Sequence, residues 1–168
     1  MKPLMSVSMD LDNQWSYMKT HGDAGWEQYP SYLDTLLPYC MDVLADQDLC
    51  ITFFIVGKDA AQEPNRPALA LIPEHGHTVG NHSFHHEPWL HLYERSRIED
   101  EIDATEAAIH AATGLTPRGF RGPGFSWSET LLQVLTERGY EFDASTLPTY
   151  IGPLARMYYF WSSSFSRQ

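Results

Sequence analysis

The sequence predicts an α/β fold in which parallel β-strands alternate with α-helices. Short apolar runs rich in β-branched and aromatic residues, such as 50–56, alternate with segments whose apolar residues recur at helical spacing, such as 32–46. This alternation is typical of parallel β/α units. The 168 residues contain no internal repeat and no low-complexity linker, so we expect one domain that covers residues 1–168.

The turn signals divide the chain into five predicted strands and four predicted helices. The strands are predicted at 4–10, 50–56, 77–81, 119–122 and 140–144. Two helices are predicted at 32–46 and 67–75, and two more begin at capping-box patterns further along the chain. Residues 13–30 contain Gly22, Gly25 and Pro30, and they are predicted to form a long loop.

Two capping boxes set the predicted starts of the last two helices. Ser96 with Glu99 forms the first box, and Gly114 ends the helix that follows. Ser126 with Glu129 forms the second box, in front of a run of leucines. We therefore expect Ser96 and Ser126 to be the N-terminal caps of these helices.

The charge balance excludes some classes of partner. The chain has 22 acidic and 11 basic residues, with a formal net charge of −11, which argues against nucleic-acid and anionic-membrane binding. No apolar run approaches the roughly 18 residues of a membrane span, and the first residues lack a signal-peptide stretch. Cys40 and Cys50 are not spaced as a metal or redox pair, so a cytoplasmic protein is expected.

Polar residues suited to metal binding or proton transfer lie at the ends of four predicted strands. They are Asp10 and Asp12 at the first strand, His82 and His86 after the third, Arg121 at the fourth and Asp143 at the fifth. The carboxyl ends of parallel strands carry the chemistry of β/α folds. We therefore expect these side chains to converge on one site.

Asp10 and Asp12 lie two residues apart, so that both carboxylates can point to the same side of a strand. Two adjacent carboxylates repel each other unless a cation lies beside them, so one can bind a metal while the other stays free as a base. The alternative is a solvated turn, in which aspartates are common.

His82 and His86 are spaced i, i+4, which places two imidazoles on one face if the segment is helical. Neutral imidazole is the commonest protein ligand for zinc and similar ions. His85 lies between them and would point elsewhere. The alternative is a polar surface turn that holds three histidines.

Asp12, His82 and His86 together supply one carboxylate and two imidazoles, a set that leaves open positions on a metal. We expect one divalent ion, with Zn²⁺ favoured and Co²⁺, Ni²⁺ and Fe²⁺ as alternatives. Non-haem iron oxygenases use the same ligand set on an all-β scaffold, whereas this chain alternates strand and helix. Asp10 can then accept a proton from a water molecule at the site.

Arg121 can hold a carboxylate in orientation through its rigid guanidinium, with Pro123 and Gly124 fixing the loop that follows. Asp143 can be its partner. The alternatives are a surface arginine before a turn and, for Asp143, an ordinary turn residue.

Four segments taken in order resemble the polysaccharide deacetylase, or NodB-homology, family. They are SMDLD at 8–12, ITFFIVG at 51–57, GHTVGNHSFHH at 76–86 and FRGPGF at 120–125. The resemblance covers about residues 4–146 and implies a distorted seven-stranded β/α barrel of the carbohydrate esterase family 4 type. It also implies hydrolysis of N-acetyl or related amide groups with one divalent metal ion, usually zinc.

The resemblance implies a role for each candidate residue. Asp10 matches the catalytic base, and Arg121 matches the arginine that orients this base. Asp143 matches a later acidic position. The metal ligands are matched by three residues: Asp12, His82 and His86.

Two departures from the family pattern shape the expected function. Leu11 separates two aspartates that are usually adjacent, a spacing that resembles the peptidoglycan-deacetylase-like and allantoinase-like branch. The C-terminal Leu-x-His motif, which supplies the general acid, is missing because no histidine follows His110. We therefore expect a barrel that is incomplete at its C-terminus, with an exposed sheet edge that favours a homo-oligomer. The acid would then be a group outside this sequence or a substitute such as His85.

Three functions remain open at this point. The first is a metal-dependent deacetylase that acts on N-acylated carbohydrate. The second is a small-molecule amide or cyclic-imide hydrolase on the same scaffold. The third is a non-catalytic metal- or carbohydrate-binding remnant without the general acid.

Overall fold

The computed structural model describes residues 5–28 and 30–146, and these residues form a parallel sheet with helices on one face. The strands are β1 Ser8–Leu11, β2 Thr52–Ile55, β3 Thr78–Asn81, β4 Gly119–Phe120 and β5 Phe142–Asp143. All neighbouring strands pair in parallel, and their order in the sheet follows the chain from β1 to β5. The predicted succession of parallel β/α units is confirmed, although each strand is shorter than predicted.

Six helices connect or flank these strands. They are α1 Gln14–His21, α2 Leu33–Asp46, α3 Gly57–Ala60, α4 Arg66–Glu74, α5 Arg95–Thr113 and α6 Glu129–Glu137. None of the helices in the described part of the chain is long and apolar enough to cross a membrane.

The core lies between the sheet and the helices on its convex side. Leu11, Phe53 and Ile55 point to this side and pack with apolar residues of α2, α4 and α5. A second apolar cluster joins Phe120 to residues of α5 and α6, such as Ile102. Alternate residues of the strands point to the opposite, concave side, because side chains alternate along a strand.

The concave side is built around Phe54, which is fully buried. A Cβ atom at Gly80 would lie 2.4 Å from the Phe54 ring, so glycine is needed where β3 passes this ring. The Phe54 ring also packs edge-on against Phe142 of β5, with 6.4 Å between the ring centroids. The guanidinium of Arg121 lies 4.3 Å from the Phe54 ring centre.

Three local predictions were wrong. Residues 13–30 were predicted as a loop, but they contain α1 and a short 3₁₀ turn at Trp26–Gln28. Helix α5 starts at Arg95, so Ser96 lies inside it rather than at its cap. The cap of α6 is Ser128, whose Oγ accepts the Leu131 N–H at 3.2 Å. The Ser126 position therefore precedes the true cap by two residues.

Candidate metal centre

The register of the sheet brings the candidate ligands to one edge. The last residues of β1, β3 and β4 lie in one row across the sheet. Asp12, His82 and Arg121 directly follow this row. Because side chains alternate along a strand, the side chains of these three residues point away from the face of the row. They therefore lie on the concave side of the sheet.

Asp12, His82 and His86 come together at this edge, and we call these three residues the Asp–His cluster. The Asp12 Oδ1 atom lies 3.4 Å from His82 Nε2 and 3.2 Å from His86 Nε2. One potential ligand atom from each residue lies within 4.8 Å of the other two. The structure thus groups all three residues that the sequence analysis proposed as metal ligands.

A hydrogen bond on the far side of the His82 ring sets its tautomer. His82 Nδ1 lies 2.6 Å from the carbonyl oxygen of Arg121, and a carbonyl can only accept, so Nδ1 carries the proton. The Nε2 atom of neutral His82 then presents a lone pair toward Asp12. Burial lowers the pKa of His82, and the adjacent His86 lowers it further, so the neutral form is favoured.

The environment of Asp12 suits a bound cation. Its Oδ1 atom is buried and makes no hydrogen bond within the described residues, although it faces two imidazole nitrogens. Burial by itself raises the pKa of Asp12, but His86, His82 and the Tyr17 hydroxyl outweigh it and lower the pKa from 3.8 to about 2. A buried, ionised oxygen without a hydrogen bond is costly unless a positive charge compensates it.

Tyr17 of α1 holds the other oxygen of the same carboxylate. Its hydroxyl donates to Asp12 Oδ2 at 3.0 Å. Burial and the charge of Asp12 both raise the pKa of Tyr17, which keeps the hydroxyl protonated and able to donate. Asp12 is therefore oriented with Oδ1 toward the two histidines.

His82 and His86 lie in a loop and not in a helix. Their i, i+4 spacing predicted a shared face only for a helical segment, so the loop backbone brings them together instead. Ser83 and His86 have positive φ values of 59° and 51°. Such a backbone costs energy for non-glycine residues and is kept only where the surroundings determine it. Buried Glu101 of α5 holds this backbone in place, because its Oε2 accepts hydrogen bonds from the N–H groups of Phe84 and His85 at 2.8 and 3.0 Å.

Arg121 binds Asp10, the first of the two aspartates in the 8–12 segment. Its Nη1 donates to Asp10 Oδ1 at 2.7 Å, its Nη2 donates to Ser8 Oγ at 2.8 Å, and its Nε donates to the Ala144 carbonyl at 3.2 Å. Asp10 and Ser8 thus lie on one face of β1. A guanidinium held at three points leaves little freedom to the carboxylate that it contacts.

Asp143 does not join this group. It lies in the row of the sheet whose side chains point away from the concave side, and Ser145 occupies both of its carboxylate oxygens, with Oγ at 2.6 Å and N–H at 3.3 Å. Ser145 Oγ in turn accepts the N–H of Gly122. Among the described residues Arg121 thus pairs with Asp10 and not with Asp143, and Asp143 stabilises a turn, which was the alternative to that pairing.

His85 is also directed away from the Asp–His cluster. Its Nδ1 lies 2.6 Å from Glu101 Oε1 on α5, and half of its side chain is exposed. This placement agrees with the expectation that His85 points elsewhere than its two neighbours, and it gives no support to His85 as a substitute acid.

Two residues of the site were not singled out as functional from the sequence. Tyr17 lies in the segment mistaken for a loop. Glu101 occupies the position on α5 between Ile98 and Thr105 that an apolar residue would normally fill. A charged residue on the buried face of a predicted helix is the signal that could have identified it.

Comparison with known proteins identifies relatives of this arrangement. The polysaccharide deacetylase family model matches residues 22–142, a segment that includes His82, His86 and Arg121. The peptidoglycan-N-acetylmuramic acid deacetylase PdaA of Bacillus subtilis is 31% identical over 111 residues, which cover 66% of this chain and 41% of PdaA. The chain thus spans less than half the length of this relative.

Two solved structures share the fold. A family 4 carbohydrate esterase from Streptomyces lividans in complex with acetate has a TM-score of 0.61 and 25% identity, covering 82% of this chain and 60% of the esterase. BA3943, a pseudoenzyme of the same family from Bacillus anthracis, has a TM-score of 0.64 and 20% identity, covering 82% of this chain and 41% of that protein. The predicted deacetylase type of β/α barrel is confirmed, and the chain belongs to the polysaccharide deacetylase family, carbohydrate esterase family 4.

Proposed function

We propose that this chain carries the metal centre of a hydrolase that removes N-acetyl groups from a carbohydrate. The observation that carries the proposal is the buried Asp12 Oδ1 atom, which lies within 3.4 Å of two imidazole nitrogens and makes no hydrogen bond among the described residues. One carboxylate and two neutral imidazoles suit Zn²⁺, and such a set leaves positions open for water and substrate. Co²⁺, Ni²⁺ and Fe²⁺ are alternatives with similar ligand preferences.

A divalent ion at the Asp–His cluster would supply Lewis-acid chemistry, which activates water and polarises an acyl oxygen. The residues of the chain do the rest. The backbone carbonyl of Arg121 keeps His82 Nε2 unprotonated, and Tyr17 turns Asp12 Oδ1 toward the histidines. These contacts prepare two of the three ligand atoms, those of His82 and Asp12, before any ion binds.

Asp10 is the general base in this proposal. Its Oδ1 atom is held by Arg121, and its side chain is one-quarter exposed, so that Oδ2 can accept a proton from water. Water loses that proton to Asp10 and adds to the acyl carbon, the carbon–nitrogen bond breaks, and the leaving amine takes up the proton that Asp10 accepted, directly or through solvent. The products are acetate and a free amino sugar.

N-acetylated carbohydrate is the substrate class that we propose, because the matched family is named for the deacetylation of polysaccharides and PdaA for that of N-acetylmuramic acid in peptidoglycan. A small amide or cyclic imide is the second candidate. The single residue between Asp10 and Asp12 supports it, since this spacing resembles the peptidoglycan-deacetylase-like and allantoinase-like branch, some members of which act on small amides or cyclic imides.

The test is acetate release from N-acetylglucosamine oligomers and peptidoglycan fragments by the full chain with Zn²⁺, with a cyclic ureide assayed in parallel. We expect acetate release, and we expect Asp10→Asn to lower the rate at least about 100-fold without loss of metal. Asp42→Asn, at an exposed position of α2, is the matched control and should be as active as the wild type. Turnover of the ureide alone would support the second candidate, and a metal-loaded chain with no turnover would contradict both.

A further inference from the structure

Asp59, in α3, is a buried carboxylate with an unusual set of contacts. It is fully buried, and its Oδ1 atom accepts the Asn13 Nδ2–H at 2.9 Å and the Trp15 Nε1–H at 2.8 Å. Its Oδ2 atom is buried and makes no hydrogen bond with any described residue. A buried carboxylate with one unpaired oxygen is costly, so its retention calls for a physical reason.

His86 has an unpaired atom of the complementary kind. Its Nε2 atom faces Asp12, whereas its Nδ1 atom is buried and makes no hydrogen bond with any described residue. His86 is also close enough to act on Asp59: burial raises the pKa of Asp59, the hydrogen bonds from Asn13 and Trp15 lower it in part, and the charge of His86 lowers it further. Asp59 Oδ2, which can accept a hydrogen bond, and His86 Nδ1, which can donate one, are thus both unpaired among the described residues.

Asp59 also links the two segments that supply the metal ligands. On one side it holds Asn13, which directly follows Asp12. On the other side, the first two N–H groups of α3, from Gly57 and Lys58, donate to the carbonyls of Ser83 and Phe84 at 2.9 and 3.0 Å. The helix that carries Asp59 is therefore attached to the loop that carries His86.

The chemistry of imidazole ligands connects these observations. A histidine that binds a cation through Nε2 carries its proton on Nδ1, and this N–H nearly always donates to a carboxylate or a carbonyl. His82 already has such a partner in the Arg121 carbonyl. His86 has none among the described residues, while Asp59 has an unused oxygen.

We propose that Asp59 is the positioning residue for His86, and that its Oδ2 atom accepts the His86 Nδ1–H when a divalent cation occupies the Asp–His cluster. This inference rests on the metal site of the proposed function. Asp59 does not touch the cation; it acts through the orientation and the tautomer of His86.

Asp59→Asn separates this role from a role in folding. The amide keeps one oxygen for Asn13 and Trp15, but an NH₂ group replaces Oδ2. In the metal-free protein His86 can adopt its other tautomer, so that Nδ1 accepts from the new amide and the Nε2–H donates to Asp12. In the metal-bound protein two donors would face each other, so the penalty falls on the metal-bound form alone.

The experiment measures Zn²⁺ affinity by chelator competition for the wild-type chain, Asp59→Asn and Asp103→Asn. Asp103 is an exposed residue that pairs with Arg138, so the control makes the same chemical change away from the cluster. We expect affinity to fall about 10- to 100-fold in Asp59→Asn and to stay unchanged in the control. The melting temperature of the metal-free protein should not fall in Asp59→Asn.

Unchanged Zn²⁺ affinity in Asp59→Asn, with normal affinity in the wild type, would overturn this inference and leave the proposed function standing. Absence of Zn²⁺ binding by the wild type would overturn both. If the variant does not fold, ¹⁵N NMR of the Zn²⁺-loaded wild type decides. A slowly exchanging proton on His86 Nδ1 supports the inference, and an unprotonated or rapidly exchanging Nδ1 contradicts it.

Discussion

Arg121 makes contacts that a shorter or more flexible cation could not reproduce together. Its guanidinium donates to Asp10, Ser8 and the Ala144 carbonyl, and it lies against the Phe54 ring. Lysine offers a point charge on a flexible chain instead of a planar fork. The position of Asp10 relative to the Asp–His cluster therefore depends on the shape of Arg121 as well as on its charge.

We predict that Arg121→Lys lowers kcat/KM by up to about 100-fold, because Asp10 is no longer held in one orientation. Zn²⁺ affinity should change little, since the Arg121 backbone carbonyl that holds His82 is retained. Steady-state kinetics together with metal content test this. Arg118→Lys, at an exposed position in front of β4, is the matched control. An equal loss of metal and activity would show that Arg121 supports the fold of the site instead.

Single residues could be predicted where sequence spacing and strand position were enough. Asp12, His82 and His86 were identified in this way and lie together in the structure. Asp59 was not identified, because its importance comes from burial and from contacts with Asn13 and Trp15, more than 40 residues away in the chain. No local pattern encodes such contacts.

At the scale of secondary-structure elements, two neighbouring serines compete as the N-terminal cap of α6. Ser126 and Ser128 both precede the leucine-rich segment, and Ser126 is followed by Glu129 in a capping-box pattern. In the structure Ser128 caps the helix, while Ser126 Oγ is buried and makes no hydrogen bond within the described residues. The chain leaves the Pro123–Phe125 turn in an extended conformation, which moves the first helical residue to Glu129.

We predict that Ser128→Ala destabilises the protein by about 1 kcal/mol, because the Leu131 N–H loses its partner. Ser126→Ala should be neutral or slightly stabilising, since it removes a buried hydroxyl that makes no hydrogen bond with the described residues. Urea unfolding of both variants measures the difference. The reverse order of effects would restore Ser126 as the functional cap.

Helix α1 was missed because its sequence lacks a helical stripe of apolar residues. Trp15 and Ser16 are its only buried residues, and both are fixed by contacts outside the helix or at its start. Its other end is set by Gly22, which has a φ of 80°. Helices α2 and α5 were predicted because their apolar residues recur at helical spacing, a pattern that indicates a buried face.

His77 links β3 to the start of β2. It is buried, its Nδ1 accepts the Ile51 N–H at 3.3 Å, and its ring packs edge-on against Phe53. Burial lowers the pKa of His77 below 6.5, and nearby His75 lowers it further. The folded protein therefore favours neutral His77, whose Nδ1 lone pair is needed for the hydrogen bond.

We predict that His77 makes the free energy of unfolding decrease as the pH falls. Because the pKa is lower in the folded than in the unfolded chain, the contribution is fully present above pH 6.5 and is lost as the pH falls through the folded value. The free energy of unfolding of the wild type should fall more steeply between pH 8 and pH 5 than that of His77→Gln. Parallel curves for the two proteins would contradict the prediction.

At the scale of the whole molecule, the parallel topology was predictable because alternation of strand and helix permits few connections. The sheet order from β1 to β5 follows directly from right-handed β/α units added one after another. The predicted homo-oligomer and the predicted incompleteness of the barrel concern partners, or parts of the chain, that lie outside the described residues. They remain predictions.

The site depends on the whole fold, because its ligands come from chain segments that meet only when β1 and β3 flank β2. An ion that binds the three ligands together therefore binds the folded chain and not the unfolded chain. Such binding raises the free energy of unfolding in proportion to the logarithm of metal concentration. A metal ion at the Asp–His cluster would therefore stabilise the whole fold.

The most direct test is Zn²⁺ stoichiometry and the accompanying change in melting temperature, for the wild type and for His82→Ala. We predict about one Zn²⁺ per wild-type chain, with a rise in melting temperature, and neither in His82→Ala, which lacks a buried ligand. His110→Ala, at an exposed position of α5, is the control and should behave as the wild type. Equal Zn²⁺ binding by the wild type and His82→Ala, or none by the wild type, would contradict the metal centre.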